Sequence, residues 1–177
     1  LDGLELDEIE IVRLKPSKGQ TPLLRGTPAS TGIAIGAVVF DPERLPAIVN
    51  GGTSAILVRE SAETGDILAL SEAAALIAVE GARTSHAAVV ARQLGKVCVV
   101  GCAGLTIDES GQSGEVGSEK LHEGDMITVD GATGAIFRGE LEVVRERPVE
   151  LLQAIAGWRT ASSAEGRTPQ PRARKKT

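Results

Sequence analysis

Gly81-Ala82-Arg83-Thr84-Ser85-His86-Ala87-Ala88-Val89-Val90-Ala91-Arg92, followed by Gly95, is the stretch that organises this chain. A short Gly/Thr/Ser turn runs into an apolar helix over 86–94, which Gly95 ends. His86 falls in the first turn of that helix, where backbone N–H groups lack intrahelical partners and the helix dipole is positive. An anion carried on its imidazole would face that end of the helix. Thr84 and Ser85 can cap the helix through their side-chain oxygens. Val89 and Val90, three and four residues beyond His86, are expected to anchor the turn in the core. Arg83, beside the turn, is the better electrostatic clamp for an anion; Arg92 lies two turns further along the helix.

Outward from this stretch the signals alternate. On its N-terminal side, 76–79 is a brief apolar run leading into the turn, and 64–75 has helical composition with Ser61 or Thr64 as its cap. Further back, 33–40 and 54–58 read as strands. On its C-terminal side, 96–100 reads as a buried strand. There 126–130, the turn 131–134 and 135–138 make a hairpin. Residues 1–25 read as an N-terminal linker, acidic at first and then passing through Lys15-Pro16-Ser17-Lys18-Gly19. The body spans 26–147, a C-terminal amphipathic helix 148–160, and a disordered basic tail 161–177. Short strands mixed with two or three helices imply a compact α/β domain, not a doubly wound nucleotide fold.

Composition narrows the function classes. Of 177 residues, 42% are hydrophobic, enough for a core, but the chain has no Tyr, one Trp and two Phe. That leaves no aromatic platform for stacking bases, and the net charge of −5 also speaks against a nucleic-acid partner. No apolar run approaches the roughly 18 residues of a membrane span, and no signal peptide is visible. Two cysteines suit a reducing cytoplasm better than a disulfide scaffold, so a cytoplasmic location is expected. The chain opens on Leu1, as a piece of a longer polypeptide would.

A bare Thr-Ser-His is most often only a helix cap with a polar first-turn residue. The wider string, Glu80 through Arg92 and then Gly95-Lys96-Val97-Cys98-Val99-Val100-Gly101-Cys102, closely resembles the phosphohistidine signature of the phosphoenolpyruvate-utilising enzymes. Gly26-Thr27-Pro28-Ala29-Ser30-Thr31-Gly32-Ile33-Ala34-Ile35-Gly36 is similar to the opening of that family's mobile domain. Ala55-Ile56-Leu57-Val58-Arg59 with Asp66-Ile67 resembles its next strand and helix. Gly124-Asp125-Met126-Ile127-Thr128-Val129-Asp130-Gly131 with Thr133-Gly134 resembles its closing hairpin. The resemblance covers about 25–140, and its spellings are most similar to those of pyruvate, phosphate dikinase.

The resemblance implies an α/β fold of the swivelling β/β/α phosphohistidine type, with compact mixed sheet layers and flanking helices. It implies a phosphotransferase part in which His86 is the catalytic residue. His86 would take a phosphoryl group at an ATP-grasp nucleotide-binding domain and pass it to pyruvate at a separate phosphoenolpyruvate/pyruvate barrel domain. Arg83, Thr84, Ser85 and Arg92 would support the phosphoryl group. Thr84 matches the residue that a regulatory kinase/phosphatase modifies in some dikinases, where added charge beside His86 would block turnover. No cofactor or metal is expected in this domain; Mg2+ and a monovalent cation would serve the parent enzyme elsewhere. Two alternatives stand beside this: a phosphoenolpyruvate synthase or another dikinase with a different acceptor, and a non-catalytic docking or regulatory swivel module.

Departures from the family pattern bear on these alternatives. Ala82 replaces the second of two usual glycines, and would be strained if its position needs φ > 0. Ala75 and Ala78 replace a glycine and a threonine. His122 reads as a surface residue in a loop before the hairpin. Cys98 and Cys102 read as a poor zinc site and as buried thiols. Gly131 and Gly134 read as turn formers, since the Lys-Ser/Thr of a phosphate loop is absent.

Overall fold

The runs Ala55–Arg59, Ala75–Ala78 and Val97–Val100 decide the architecture, because nearly every residue in them is apolar and buried. Strands apolar on both sides need cover on both faces, as parallel strands have inside a layered α/β domain. The computed structural model, which describes residues 11–15, 20–108 and 110–146, has that arrangement. In chain order, β1 (Ile11–Leu14), β2 (Leu24–Arg25), β3 (Thr27–Ser30) and β4 (Ile33–Val39) come first. Then α1 (Leu45–Asn50), β5 (Ala55–Arg59), α2 (Ile67–Glu72), β6 (Ala75–Ala78), α3 (His86–Gln93) and β7 (Val97–Val100) alternate. β8 (Leu105–Ile107), β9 (Ser113–Val116), β10 (Glu119–His122), β11 (Met126–Asp130), β12 (Ala135–Arg138) and β13 (Val143–Glu146) follow.

Eight strands form one sheet in the order β2-β12-β11-β4-β5-β6-β7-β3. β4 to β7 are mutually parallel neighbours joined by the three helices; every other pairing is antiparallel. β8, β9 and β10 form a separate antiparallel sheet. Side-chain alternation along the central strands divides the interior in two. Ile56, Val58, Ile77 and Val99 point into a core closed by Leu105 and Leu121 of the small sheet. Leu57, Leu76, Cys98 and Val100 point into a second core closed by Leu45 of α1, Leu70 of α2 and Ala88 and Ala91 of α3. Small sheet, large sheet and helices are thus three layers, the expected β/β/α order.

The edge strands β2 and β3 are consecutive in the chain with only Gly26 between them, so the large sheet curls until its margins meet. Gly26 N–H donates to Gly134 C=O at 2.9 Å, and a Cβ on Gly26 would run into Val99, the Val100 carbonyl and the Cys102 sulfur. Pro28, which has no N–H to give a ladder, sits on edge strand β3, where the register shifts between Pro28 and Ser30.

Several expectations change in the fold. The helix expected over 64–75 is a 3₁₀ turn, Thr64–Asp66, and a short α2. Ala74 N–H then donates to Ala55 C=O at 2.8 Å, and the chain joins the sheet as β6. Burial in a parallel sheet overrides the helical propensity of that alanine-rich segment. The body begins before residue 26, since Leu24 is buried in the first core and β2 pairs with β12. The segment between β7 and β11 is the three-stranded sheet, and His122 ends a strand instead of lying in a loop. β1 and β13 make a two-stranded sheet, beyond which Lys15 N–H donates to Glu142 C=O at 2.9 Å and their side chains pair at 2.7 Å. Residues Val12–Val144 form one compact unit. The expected helix 148–160 and tail 161–177 lie outside the described residues. No described helix is long and apolar enough to cross a membrane.

Candidate functional site

The turn that carries His86 leaves the C-terminal end of β6. Val79 N–H donates to Arg59 C=O at 3.0 Å and Glu80 N–H to Glu60 C=O at 2.8 Å, which roots the turn in the chain leaving β5. Gly81 then adopts φ +114°, a conformation that L side chains rarely adopt. Ala82 does not share this demand: among the described residues no non-glycine residue has positive φ. The strain that alanine would suffer at that position is therefore absent. Ser85 N–H donates to Ala82 C=O at 2.8 Å and closes the turn.

Ser85 is the N-cap of α3, with φ −61°, ψ 153° and its Oγ accepting from Ala88 N–H at 3.4 Å. Thr84 makes no capping bond; it is exposed. At the far end Gly95 takes φ +66° and the helix stops. The expected valine anchor is corrected at Val89, which is 38% exposed; Val90 is partly buried and packs against the second core, and Ala88 and Ala91 are the buried residues of α3. Small residues on the inward face let the helix lie close to β7, which turns Val89 outward.

His86 is the first residue of α3 and is exposed. Its ring bonds to none of the described residues, and neither its own N–H nor that of Ala87 has an acceptor among them. The first turn of α3 holds no acidic residue. Arg83 is exposed, and its guanidinium pairs with no described residue. Arg92 does more than its sequence distance implied. Its side chain leans back along the helix, as helical side chains do, so that Nη2 donates to Arg83 C=O at 2.8 Å and Nε to Ala88 C=O at 3.2 Å. The site therefore holds an unengaged imidazole at unpaired N–H groups, the exposed Arg83 three residues before it in the chain, and a second guanidinium, that of Arg92, holding the turn. A neutral imidazole so placed can attack phosphorus and leave its product beside positive charge.

Other candidates separate from this group. His122 ends β10 in the small sheet, exposed. Among the described residues no group of three His, Cys, Asp or Glu side chains is placed to hold a metal ion. An open cleft of about 520 Å³, unremarked in the sequence, lies where β4, β5 and β6 end; Phe40, Arg59, Glu60, Glu80 and Asp108 line it. At its rim Arg59 Nε donates to the buried Asp66 carboxylate at 3.2 Å, and the same oxygen accepts Glu63 N–H at 2.9 Å. An arginine ending a buried strand and an aspartate just before the next helix were the available signal for that pair.

Cys98 and Cys102 are both free and buried. Burial pushes the Cys98 thiol up to about 11, against the pull of Arg92. Burial, and then Cys98, push Cys102 up to about 12. The folded state thus holds these protons more tightly than the unfolded chain. The associated stability is full below the ordinary thiol value of 9.0 and is lost as pH rises through about 11 to 12. A thiol reagent at pH 8 is expected to label the native chain slowly and the urea-unfolded chain at once. Rapid labelling of both thiols in the native chain would contradict their burial.

The family model described as PEP-utilising enzyme, mobile domain, matches residues 51–134. Pyruvate, phosphate dikinase of Entamoeba histolytica is 37% identical over 170 residues, covering 89% of this chain and 18% of that protein. Pyruvate, phosphate dikinase of Clostridium symbiosum is 42% identical over 131 residues, covering 74% of this chain and 15% of that protein. The chain thus spans under a fifth of the length of these relatives. Among solved structures, the N-terminal domain of Enzyme 1 - Nitrogen is similar at 16% identity and a TM-score of 0.41, over 77% of this chain and 99% of that one; so loose a superposition decides nothing.

Proposed function

Residues 51–134 place this chain in the PEP-utilising enzyme mobile-domain family, with pyruvate, phosphate dikinases as its relatives, and on that premise we propose that it is a phosphocarrier with His86 as its nucleophile. The observation that carries the reading is the exposed, unengaged imidazole of His86 at the N-terminus of α3, beside free backbone N–H groups and Arg83. The ring nitrogen's lone pair forms an N–P bond while the bond from phosphorus to the donor oxygen breaks, its electron pair leaving with that oxygen. The other ring nitrogen keeps its hydrogen. The three phosphoryl oxygens then gain the helix N-terminus and the Arg83 guanidinium as counter-charges. Return of the group to an acceptor is the same step reversed.

The donor in this reading is an ATP-grasp domain and the acceptor pyruvate at a barrel domain, both in the remainder of a parent polypeptide or on a separate chain. Magnesium belongs with the donor nucleotide there, and the chemistry at His86 is derived without it. Phosphoenolpyruvate synthase or another dikinase would share every step up to the acceptor. The docking alternative had Ala82 as a motive, and the ordinary φ of that residue favours the carrier instead.

The test combines this chain with the ATP-grasp module of its parent, phosphate, and ATP labelled on the β-phosphoryl. Acid-labile label on the chain is the expected result. No label, with the module shown competent on a related swivel domain, would overturn the reading in favour of docking. Thr84→Glu should suppress the label at least tenfold, because a carboxylate beside His86 repels the incoming phosphoryl group, an effect on the order of 1.4 kcal/mol. Unimpaired charging of that variant would remove Thr84 as a regulatory position.

A further inference from the structure

The geometry points to Arg92 as a positioning residue for His86, acting through the carbonyl of Arg83 and not on the phosphoryl group itself. This assignment rests on the carrier reading above. Gly81, Ala82, Arg83 and Thr84 are all exposed, so no buried side chain holds the segment that delivers His86. Apart from the turn's own bond between Ser85 N–H and Ala82 C=O, one hydrogen bond reaches this segment from the described structure: Arg92 Nη2 to Arg83 C=O, 2.8 Å. The same guanidinium spends Nε on Ala88 C=O, 3.2 Å, inside α3. One planar group therefore staples the turn to the helix body from two sides of its fork. An ammonium on a flexible stem could not hold both carbonyls in that geometry.

Arg83 and Arg92 then divide the work. Arg83 is exposed and free to meet phosphoryl oxygens, whereas Arg92 is committed to two backbone carbonyls. Without the staple, the four exposed residues keep one internal bond and the Gly81 conformation, and His86 samples orientations that do not reach phosphorus. Misplacing a nucleophile by about 1 Å can cost on the order of a hundredfold in rate, so a tenfold loss is a conservative expectation.

The test uses the full 177-residue chain as wild type, Arg92→Ala and Arg92→Lys. The first readout is the backbone amide NMR signals of Thr84 and His86, with Val39 and Leu57, in the core that the helices close, as controls for an intact fold. Arg92→Ala is expected to broaden or shift the first pair and leave the second in place; Arg92→Lys should restore the first pair in part. The second readout is charging by the ATP-grasp module. kcat should fall about tenfold in Arg92→Ala with KM within twofold, while the half-life of phosphohistidine, once formed, should match that of wild type. Thr84 and His86 signals identical to wild type in Arg92→Ala would overturn the assignment. So would a shortened phosphohistidine half-life, which would place Arg92 on the phosphoryl group. If wild type takes no phosphoryl group, the carrier reading fails, and the amide signals alone still decide whether Arg92 holds the turn.

Discussion

Replacing His86 with alanine is expected to leave the chain folded and to abolish phosphoryl capture. The side chain is exposed, bonds to no described residue, and occupies the first position of α3. Alanine there is a better helix former than histidine, and the Ser85 cap is untouched, so stability should change by less than about 0.5 kcal/mol. Among the described residues no second imidazole or available thiol can take over, and the hydroxyls of Thr84 and Ser85 would give acid-stable esters. His122 ends β10 in the small sheet, and both thiols are buried and held protonated. Acid-labile label should therefore drop by at least about a thousandfold, to background, in His86→Ala and persist in His122→Ala. Label retained in His86→Ala would mean that the phosphoryl group goes elsewhere.

The largest effect on stability is expected at Gly134, where the margins of the curled sheet touch. Gly134 has φ +72°, and a Cβ there would fall inside van der Waals contact with the carbonyl of Gly26, the residue joining β2 to β3. Left-handed backbone costs a non-glycine residue roughly 1–2 kcal/mol, and forcing an atom against packed backbone typically adds 1–3 kcal/mol. Gly134→Ala should therefore lose about 2–5 kcal/mol. Gly139→Ala is the control: φ is +81° with nothing within 4 Å of its Cβ, so only the backbone cost applies. Urea unfolding of both variants measures the difference. Equal losses would mean that the sheet margins do not meet at Gly26 and Gly134.

What could be read from the sequence follows from how each segment is buried. The central strands were legible because 55–58 and 97–100 are unbroken apolar runs, the mark of strands covered on both faces. The hairpin Met126–Asp130 to Ala135–Arg138 was legible from its alternation around the turn ending in Gly134. β8, β9 and β10 were not, because each buries only one residue, Leu105, Gly114 and Leu121, and nothing periodic survives at that density. β2, two residues long, and β3, which contains Pro28, pair only because the sheet closes on itself, a long-range fact.

The site shows the same division. His86 and its turn were legible from adjacent residues. The inward face of α3 was not, because the apolar stretch from Ala87 to Ala91 offers no polar residue to fix its phase, and packing distance selected the alanines over Val89. The reach of Arg92 to a carbonyl nine residues earlier depends on where the turn lies over the helix, which only the folded chain determines.

The central claim is that His86 carries the phosphoryl group, and the most direct measurement is NMR of its imidazole nitrogens in the ¹⁵N-labelled chain before and after charging by the ATP-grasp module. The account predicts that one ring nitrogen of His86 shifts and acquires coupling to phosphorus, while the ring of His122 does not change. An unchanged His86 ring in a chain that has taken up phosphoryl label would contradict it.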